Sequence, residues 1–454
     1  MAINAVLLAV IIMLGLSLSR VHVVLSLLIG ALAGGLLAGL GITDTLNAFQ
    51  EGIRNGAEIA LSYALLGAFA VAIAHSGLPQ SLAGAVIKRI DAAGTSGMIK
   101  YMLFAGLITM SCFSQNLIPI HIAFIPLLVP PLLLAFNRMQ IDRRLIACLI
   151  TFGLVTTYMF IPYGFGDIYL NQIMLKKNVG EAGIDVANIS VVQAMAIPAL
   201  GMLIGLLVAV CISYRKPRAY QQIAIDQQAH DAVVEGDALS KTAAGAQSQS
   251  KLKTLVALAA IVTAFVVQLY TDSLLLGSMF GFGVFMATGV VKWRDADGVF
   301  NDGIKLMAMI GFIMITAQGF AEVMKATEQI QPLVDGAASL FAGNKAMAAF
   351  IMLLIGLIVT MGIGSSFSTI PILAAIYVPL CISLGFSPLA TVAIIGTAGA
   401  LGDAGSPASD STLGPTSGLN IDGQHDHIKD SVIPTFLHYN IPLLAFGWIA
   451  AMVL

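Results

Sequence analysis

The chain has 454 residues, 58% of them hydrophobic and only 10% charged, with a net charge of −2. Soluble domains carry about 25% charged residues, so this composition, with a mean hydropathy of +0.92, excludes a globular soluble domain and points to a polytopic protein of the lipid bilayer. The near-zero net charge argues against nucleic acid partners, and Cys112, Cys148, Cys211 and Cys381 sit in apolar stretches without paired spacing, reading as small core residues rather than a disulfide framework or a zinc site.

The N-terminal Met1-Ala2-Ile3-Asn4 lacks a basic region, so the first apolar run reads as a retained helix rather than a cleaved signal. Apolar runs of the ~20 residues a membrane helix needs predict crossing segments at 4–19, 22–42, 57–75, 144–174 and 190–213. A second set is predicted at 254–270, 273–291, 304–323, 388–414 and 432–453. Two further apolar stretches, 98–136 and 346–386, are each long enough for two helical legs but are broken by a small polar cluster and then proline. Each is predicted to be a re-entrant hairpin, because non-helical backbone at membrane depth is tolerated only where protein or a water-filled cavity covers it. Residues 78–90 and 329–342 are predicted as short interfacial helices preceding each hairpin, plain loop being the alternative. The polar segment 215–253 reads as a cytoplasmic linker whose role is simple tethering. The expected organisation is a first repeat over 1–214, the linker over 215–253 and a second repeat over 254–454.

The chain resembles itself. Phe49, Gly52, Ile53, Ala57, Ile59, Phe69 and Ala70 recur 251 residues later as Phe300, Gly303, Ile304, Ala308, Ile310, Phe320 and Ala321. Ser114-Gln115-Asn116-Leu117-Ile118-Pro119 recurs at a shift of 252 as Ser366-Phe367-Ser368-Thr369-Ile370-Pro371. Halves duplicated within the bilayer are characteristic of transporters. Five crossings per half is an odd number, so the second half must lie upside down relative to the first. With both termini outside, only Arg54, Lys176, Lys177, Lys325 and Lys345 among the 22 basic residues are placed outside, as the positive-inside rule favours. Gly30-x-x-x-Gly34 and Gly277-x-x-x-Gly281 fall in equivalent second helices, where small residues permit close packing.

Two kinds of polar feature interrupt the apolar runs. One is the pair of hairpin clusters, Ser111, Ser114, Gln115 and Asn116 in the first and Ser365, Ser366, Ser368 and Thr369 in the second. Each precedes a proline, which frees a carbonyl upstream. Freed carbonyls with Ser, Thr and Asn oxygens suit a hard cation such as sodium. The plainer alternative, bonding to helix backbone, fits one cluster better than two at matched positions. The other feature is a broken helix in each half, Phe160-Ile161-Pro162-Tyr163-Gly164-Phe165-Gly166-Asp167 and the Gly-, Ser- and Pro-rich run Gly399 to Thr412. Gly and Pro at this density cannot continue a regular helix. An Asp at the bilayer centre costs ~2.5–3.5 kcal/mol on insertion scales, which makes it a functional candidate. Asp167, Asp403 and Asp410 are such candidates, for a cation or a proton. Asp403 ranks first because it lies within the densest break; Asp167 and Asp410 also fit helix ends near water. Glu322 is a coupling candidate and His121, on the second hairpin leg, a weaker one. His425-Asp426-His427 has metal-ligand spacing but reads as a solvated turn.

Gly164-Phe165-Gly166-Asp167, with Pro198-Ala199-Leu200 downstream, also matches intramembrane aspartyl proteases. That chemistry needs two carboxylates sharing a proton, and the Tyr-Asp partner motif occurs nowhere in the chain, so the enzyme reading is set aside. A channel needs a repeated ring of pore-lining groups, whereas two asymmetric breaks meeting at one midplane suit alternating access.

Ser366-Phe367-Ser368-Thr369-Ile370-Pro371, the run Gly399 to Asn420, and Ser17-Leu18-Ser19-Arg20-Val21-His22-Val23-Val24 resemble the NhaC-type sodium/proton antiporter family, with the closest likeness to the YuiF branch of histidine or other amino-acid permeases. The resemblance implies the ion-transporter superfamily fold: an all-α polytopic membrane protein, an inverted-repeat transporter with about ten crossing helices, two re-entrant hairpins and two broken helices, often a homodimer. It implies that each hairpin tip shares an ion site with a broken helix. Ser114 and Asn116 would then meet Gly164 and Asp167, while Ser366 and Thr369 would meet Asp403 and Ser406. Solute contacts are expected from Gln115, Ser368, Pro162, Pro407, Asp410 and Thr412 on the same tips and breaks. The expected activity is sodium- or proton-coupled transport of a small solute, an amino acid above all, across the bacterial cytoplasmic (inner) membrane. The alternative is sodium/proton antiport without an organic substrate.

Overall fold

The computed structural model describes residues 4–19, 21–78, 97–116, 121–180, 182–221, 251–271, 273–329, 332, 344–363 and 366–454. Among them every regular element is helical and no strand occurs. The first half contains α1 (Ala5–Leu18), α2 (Val23–Leu37) and α3 (Gly41–Ser76), then the hairpin legs α4 (Gly97–Asn116) and α5 (His121–Arg138). The first broken helix follows as α6 (Arg143–Phe160) and α7 (Phe165–Asp167, continuing in wider turns over Ile168–Gly180), and α8 (Val191–Val208) closes the half. The second half repeats the order with α9 (Lys251–Thr271), α10 (Leu274–Ala287), α11 (Ala296–Ala326), α12 (Lys345–Ile363) and α13 (Ser366–Ser383). The second broken helix is α14 (Pro388–Ala400) and α15 (Asp410–Leu419), and α16 (His427–Val453) ends the chain. Among the described residues, six helices are long and apolar enough to cross a membrane.

Local chemistry sets these boundaries. The Asn4 side chain accepts from the amides of Val6 and Leu7 to start α1, and Ser387 caps α14 ahead of Pro388, whose missing amide costs nothing in a first turn. Gly77, at φ 74°, ends α3 in the left-handed conformation that favours glycine. Helices α3 and α11 extend well N-terminal of the predicted 57–75 and 304–323. The stretches ahead of the predicted segments carry exposed charge, such as the Glu51–Arg54 pair, so apolarity stops before the helix does. The predicted interfacial helices at 78–90 and 329–342 lie almost wholly outside the described residues.

The internal repeat is visible as symmetry. A shift of 251 carries Val23 to Leu274 and Leu37 to Thr288, the start and end of α2 and α10 to within one residue. The long helices α3 and α11 pack along one another. Gly52 of α3 lies against the backbone of Gln318 and Gly319, while its counterpart Gly303 of α11 lies against Gly67 and Ala68. The early end of each helix therefore meets the late end of the other, so the two copies cross antiparallel. Phe320 seats at Gly30 and its counterpart Phe69 at Gly281. Such reciprocal contacts are what a two-fold axis produces. A side chain at these glycines would collide with the facing backbone or ring, so Gly30-x-x-x-Gly34 and Gly277-x-x-x-Gly281 serve packing within the chain.

Two hydrophobic cores result, and each draws on both halves. One joins α1–α3 with α9–α11; the other joins α4–α8 with α12–α16. Both hairpins and both broken helices belong mainly to the second core, and Ala408 and Leu413 of the second break pack into the first.

Candidate functional site

The break between α14 and α15 is the most completely organised polar feature of that second core. Leu401 leaves the helix in extended conformation (φ −60°, ψ 134°), and Gly402 and Gly405 take φ of 90° and 135°, where a side chain would be strained. Side chains replace the lost helical bonds, as buried backbone groups require. Asn440 of α16 accepts from the Gly402 amide (3.0 Å) and donates to the Ala404 carbonyl (3.1 Å). Thr360 of α12 donates to the Ala398 carbonyl at 3.0 Å. Ser409 restarts the helix by accepting from the Ser411 amide (3.1 Å).

Asp403 sits within this break, 6% exposed. One carboxylate oxygen accepts from the Ser409 hydroxyl at 2.5 Å, the other from the Tyr158 hydroxyl at 2.6 Å. Tyr158 belongs to α6, so the bond joins the two broken helices. The same hydroxyl lies 3.0 Å from Ser366 Oγ, at the start of the second leg of the second hairpin. The Tyr158 ring is held edge-on by Tyr169 (centroids 4.9 Å apart, 74°). Ser411 donates to the Asp403 carbonyl at 3.1 Å, and Ser409 and Ser411 hydroxyls are 2.6 Å apart. Asp410, the first residue of α15, is close enough for its charge to act on Asp403.

The other expected residues distribute around this centre. Thr412 donates to the Ser406 and Ser409 carbonyls (2.6 and 3.0 Å), and Ser406 Oγ donates to the Met361 carbonyl at 3.4 Å. Thr369 is buried within α13. The Pro407 carbonyl, which can only accept, takes a hydrogen bond from His427 Nε2 (2.9 Å), fixing the proton of that ring on Nε2. The side chains of Ser368 and His121 lie outside the described residues.

The first break is more open. Asn116, at the hairpin tip, accepts from the Gly166 amide at 3.2 Å and closes on Gly164, where a Cβ would stand 3.0 Å from its Oδ1. Gly164 takes φ 58°, Tyr163 is 73% exposed and Pro162 is half-buried. Asp167 is turned along its own helix, accepting from Asn171 (2.7 Å) and Gln172 (3.1 Å). Ser114 donates to the Ser111 carbonyl at 3.1 Å, and Gln115 is buried. Glu322 is partly exposed and pairs with Lys325 at 3.2 Å, one turn along its own helix.

A clasp closes one end of this body, and its residues carry no sequence signal of their own. Arg143, fully buried, makes two 2.6 Å bonds to Asp422 and one of 2.9 Å to the Leu419 carbonyl, tying the start of α6 to the end of α15. Tyr220 stacks over the Arg143 guanidinium (4.3 Å) and accepts from its amide (2.9 Å). Arg218 reaches Asp142 (3.6 Å) and Asp430 (3.3 Å), and Gln221 and Gln424 exchange two hydrogen bonds. The opening residues of the linker are therefore docked rather than a bare tether. Burial raises the Asp422 carboxyl, but the bonds and charge of Arg143 outweigh it and hold the group below the usual range.

The His425-Asp426-His427 segment also departs from the expected solvated turn. His425 is 1% exposed and its Nε2 lies 2.8 Å from Ser431 Oγ, which accepts from Thr416. Burial pulls His425 down to about 4 from 6.5, against Asp430 and Asp142, which raise it, and with Arg143 and His427, which lower it further. Between pH about 6.5 and about 4 the unfolded chain binds a proton here that the folded chain refuses, so stability falls as pH drops through that window. His425→Asn is expected to flatten the decline of thermal midpoint between pH 7.5 and 5, followed in detergent. Parallel curves for the two proteins would remove His425 as the cause.

The sequence model of the Na+/H+ antiporter family matches residues 149–448, and a second Na+-H+ antiporter family model matches residues 4–90. An uncharacterized membrane protein of Vibrio parahaemolyticus is 54% identical over 99% of this chain and 100% of its own length. Another from Haemophilus influenzae is 50% identical over 99% of both. A candidate amino acid transporter of Bacillus subtilis, YuiF, is 47% identical over 99% of this chain and 100% of its own.

Proposed function

The chain belongs to the Na+/H+ antiporter family and is a multi-pass secondary transporter rather than an enzyme; from that premise we propose that it couples a sodium or proton gradient to the movement of an amino acid across the cytoplasmic membrane. The observation that carries this reading is Asp403, a carboxylate buried in a helix break and shared by hydroxyls from both halves. A buried carboxylate of this kind can hold a cation or a proton, and the cost of its charge at membrane depth makes it a functional candidate.

The cation would lie among Asp403, Ser406, Ser366 and Thr369, with a second position at Asn116, Gly164, Ser114 and Asp167. Gln115, Ser368, Pro162, Pro407, Asp410 and Thr412 would line the solute's path, and the N-terminus of α15 would favour its carboxylate. The antiparallel crossing of α3 and α11 supports an inverted repeat, on which alternating access rests, and the bias of basic residues favours both termini outside. The amino-acid substrate is drawn from the likeness to the Bacillus subtilis relative.

The test is uptake of labelled histidine and other amino acids by proteoliposomes under imposed sodium or proton gradients. Gradient-dependent, saturable uptake is expected. Sodium/proton exchange without uptake of any amino acid would replace the permease reading with plain antiport.

A further inference from the structure

We propose that Tyr158 is a positioning residue whose hydroxyl competes with the transported cation for Asp403. The inference rests on the reading of Asp403 as the cation-binding carboxylate. Tyr158 donates its proton to one Asp403 oxygen at 2.6 Å. A hydroxyl bound this way presents its hydrogen, the positive end of the bond, so a cation cannot take the same lone pair while the bond stands. The second oxygen is engaged likewise by Ser409. Each carboxylate oxygen therefore has one of its lone pairs taken by an O–H donor, and the proton on that donor faces the place where a cation would bind.

The hydroxyl has somewhere to go. Ser366 Oγ stands 3.0 Å away and either atom of that pair can donate. A rotation about the C–O bond moves the Tyr158 proton from Asp403 to Ser366 without moving the ring, which Tyr169 holds edge-on. The element thus has two arrangements. In one, the proton closes on Asp403; in the other, it turns to the hairpin and releases the carboxylate oxygen. Because Tyr158 lies at the end of α6 and Asp403 in the break after α14, the switch reports occupancy of the second broken helix to the first.

A buried tyrosine hydroxyl needs some partner, so a purely packing role must be separated by experiment. Half-saturating sodium concentration, or proton concentration in proton-driven uptake, is read in proteoliposomes for the unaltered protein and Tyr158→Phe. Removing a hydrogen bond to an ionised group relieves the competition, and the half-saturating concentration is expected to fall about tenfold. Site-specific 3-fluorotyrosine at position 158 keeps the shape but is a stronger donor, so it is expected to raise that concentration, and it serves where the Phe variant does not assemble. An unmoved half-saturating concentration, with only a slower maximal rate, overturns the proposal. So does a rise in Tyr158→Phe, which would make the hydroxyl a ligand of the cation. Uptake with no cation dependence in the unaltered protein would overturn the proposed function, and this inference with it.

Discussion

Replacing Asp403 by Asn is expected to abolish gradient-driven uptake while leaving the folded protein in place. The amide is nearly isosteric with the carboxylate. Its oxygen can still accept from Tyr158, and the Ser409 hydroxyl, 2.6 Å from Ser411 Oγ, can turn to that neighbour and accept from the new amide. The break keeps its other supports, the Asn440 bridge and the Thr360 cap. What disappears is the charge, and with it the group that holds a cation or carries a proton. The expected signature is a split between two assays on one preparation. Exchange of labelled for unlabelled solute at equal concentrations persists in part, whereas accumulation against a gradient falls to the level of empty vesicles. Accumulation at the unaltered rate would remove Asp403 from the mechanism and leave the break as a structural feature.

Arg143→Ala is expected to be the most damaging single change outside the site. It strands Asp422, whose side chain is 3% exposed, with its charge uncompensated, and leaves the Leu419 carbonyl without its arginine donor. Breaking a buried ion pair from one side costs about 3–5 kcal/mol. The loss would also remove the guanidinium on which Tyr220 stacks, one of the contacts that dock the start of the linker. Arg143→Lys retains the charge but not the two-pronged geometry, so intermediate damage is expected. The double change Arg143→Met with Asp422→Leu leaves no stranded charge and is expected to recover much of the stability. Thermal unfolding in detergent reads all four proteins. A midpoint for Arg143→Ala equal to the unaltered one would show that the clasp contributes nothing.

These two residues mark different kinds of legibility. Asp403 stands in a run of glycine, serine and proline that no regular helix tolerates, so its importance is readable from neighbours in the chain. Arg143 opens an ordinary apolar helix after an ordinary cap. Its partner lies 279 residues away, and nothing in the local pattern distinguishes it from a surface arginine. Tyr158 is the same case, one aromatic residue among many in apolar helices until the fold brings it to Asp403 from 245 residues away. His425 shows the converse, since a short polar segment reads as solvated although neighbouring elements bury it.

By itself, the sequence determined the helical class, the order of elements, both helix breaks and the duplication. Each is a local property: apolar run length, proline and glycine density, or a pattern repeated at constant spacing. Even the early turns of α3 and α11 escaped it only because a charged helical face looks like loop to hydropathy. The tertiary structure alone decided that the equivalent helices cross antiparallel, that the two halves interleave into two cores, and which hydroxyls meet Asp403. Those outcomes depend on backbone approaching backbone at Gly52, Gly67 and Gly303 and on contacts between residues hundreds of positions apart, where no local pattern constrains the partner.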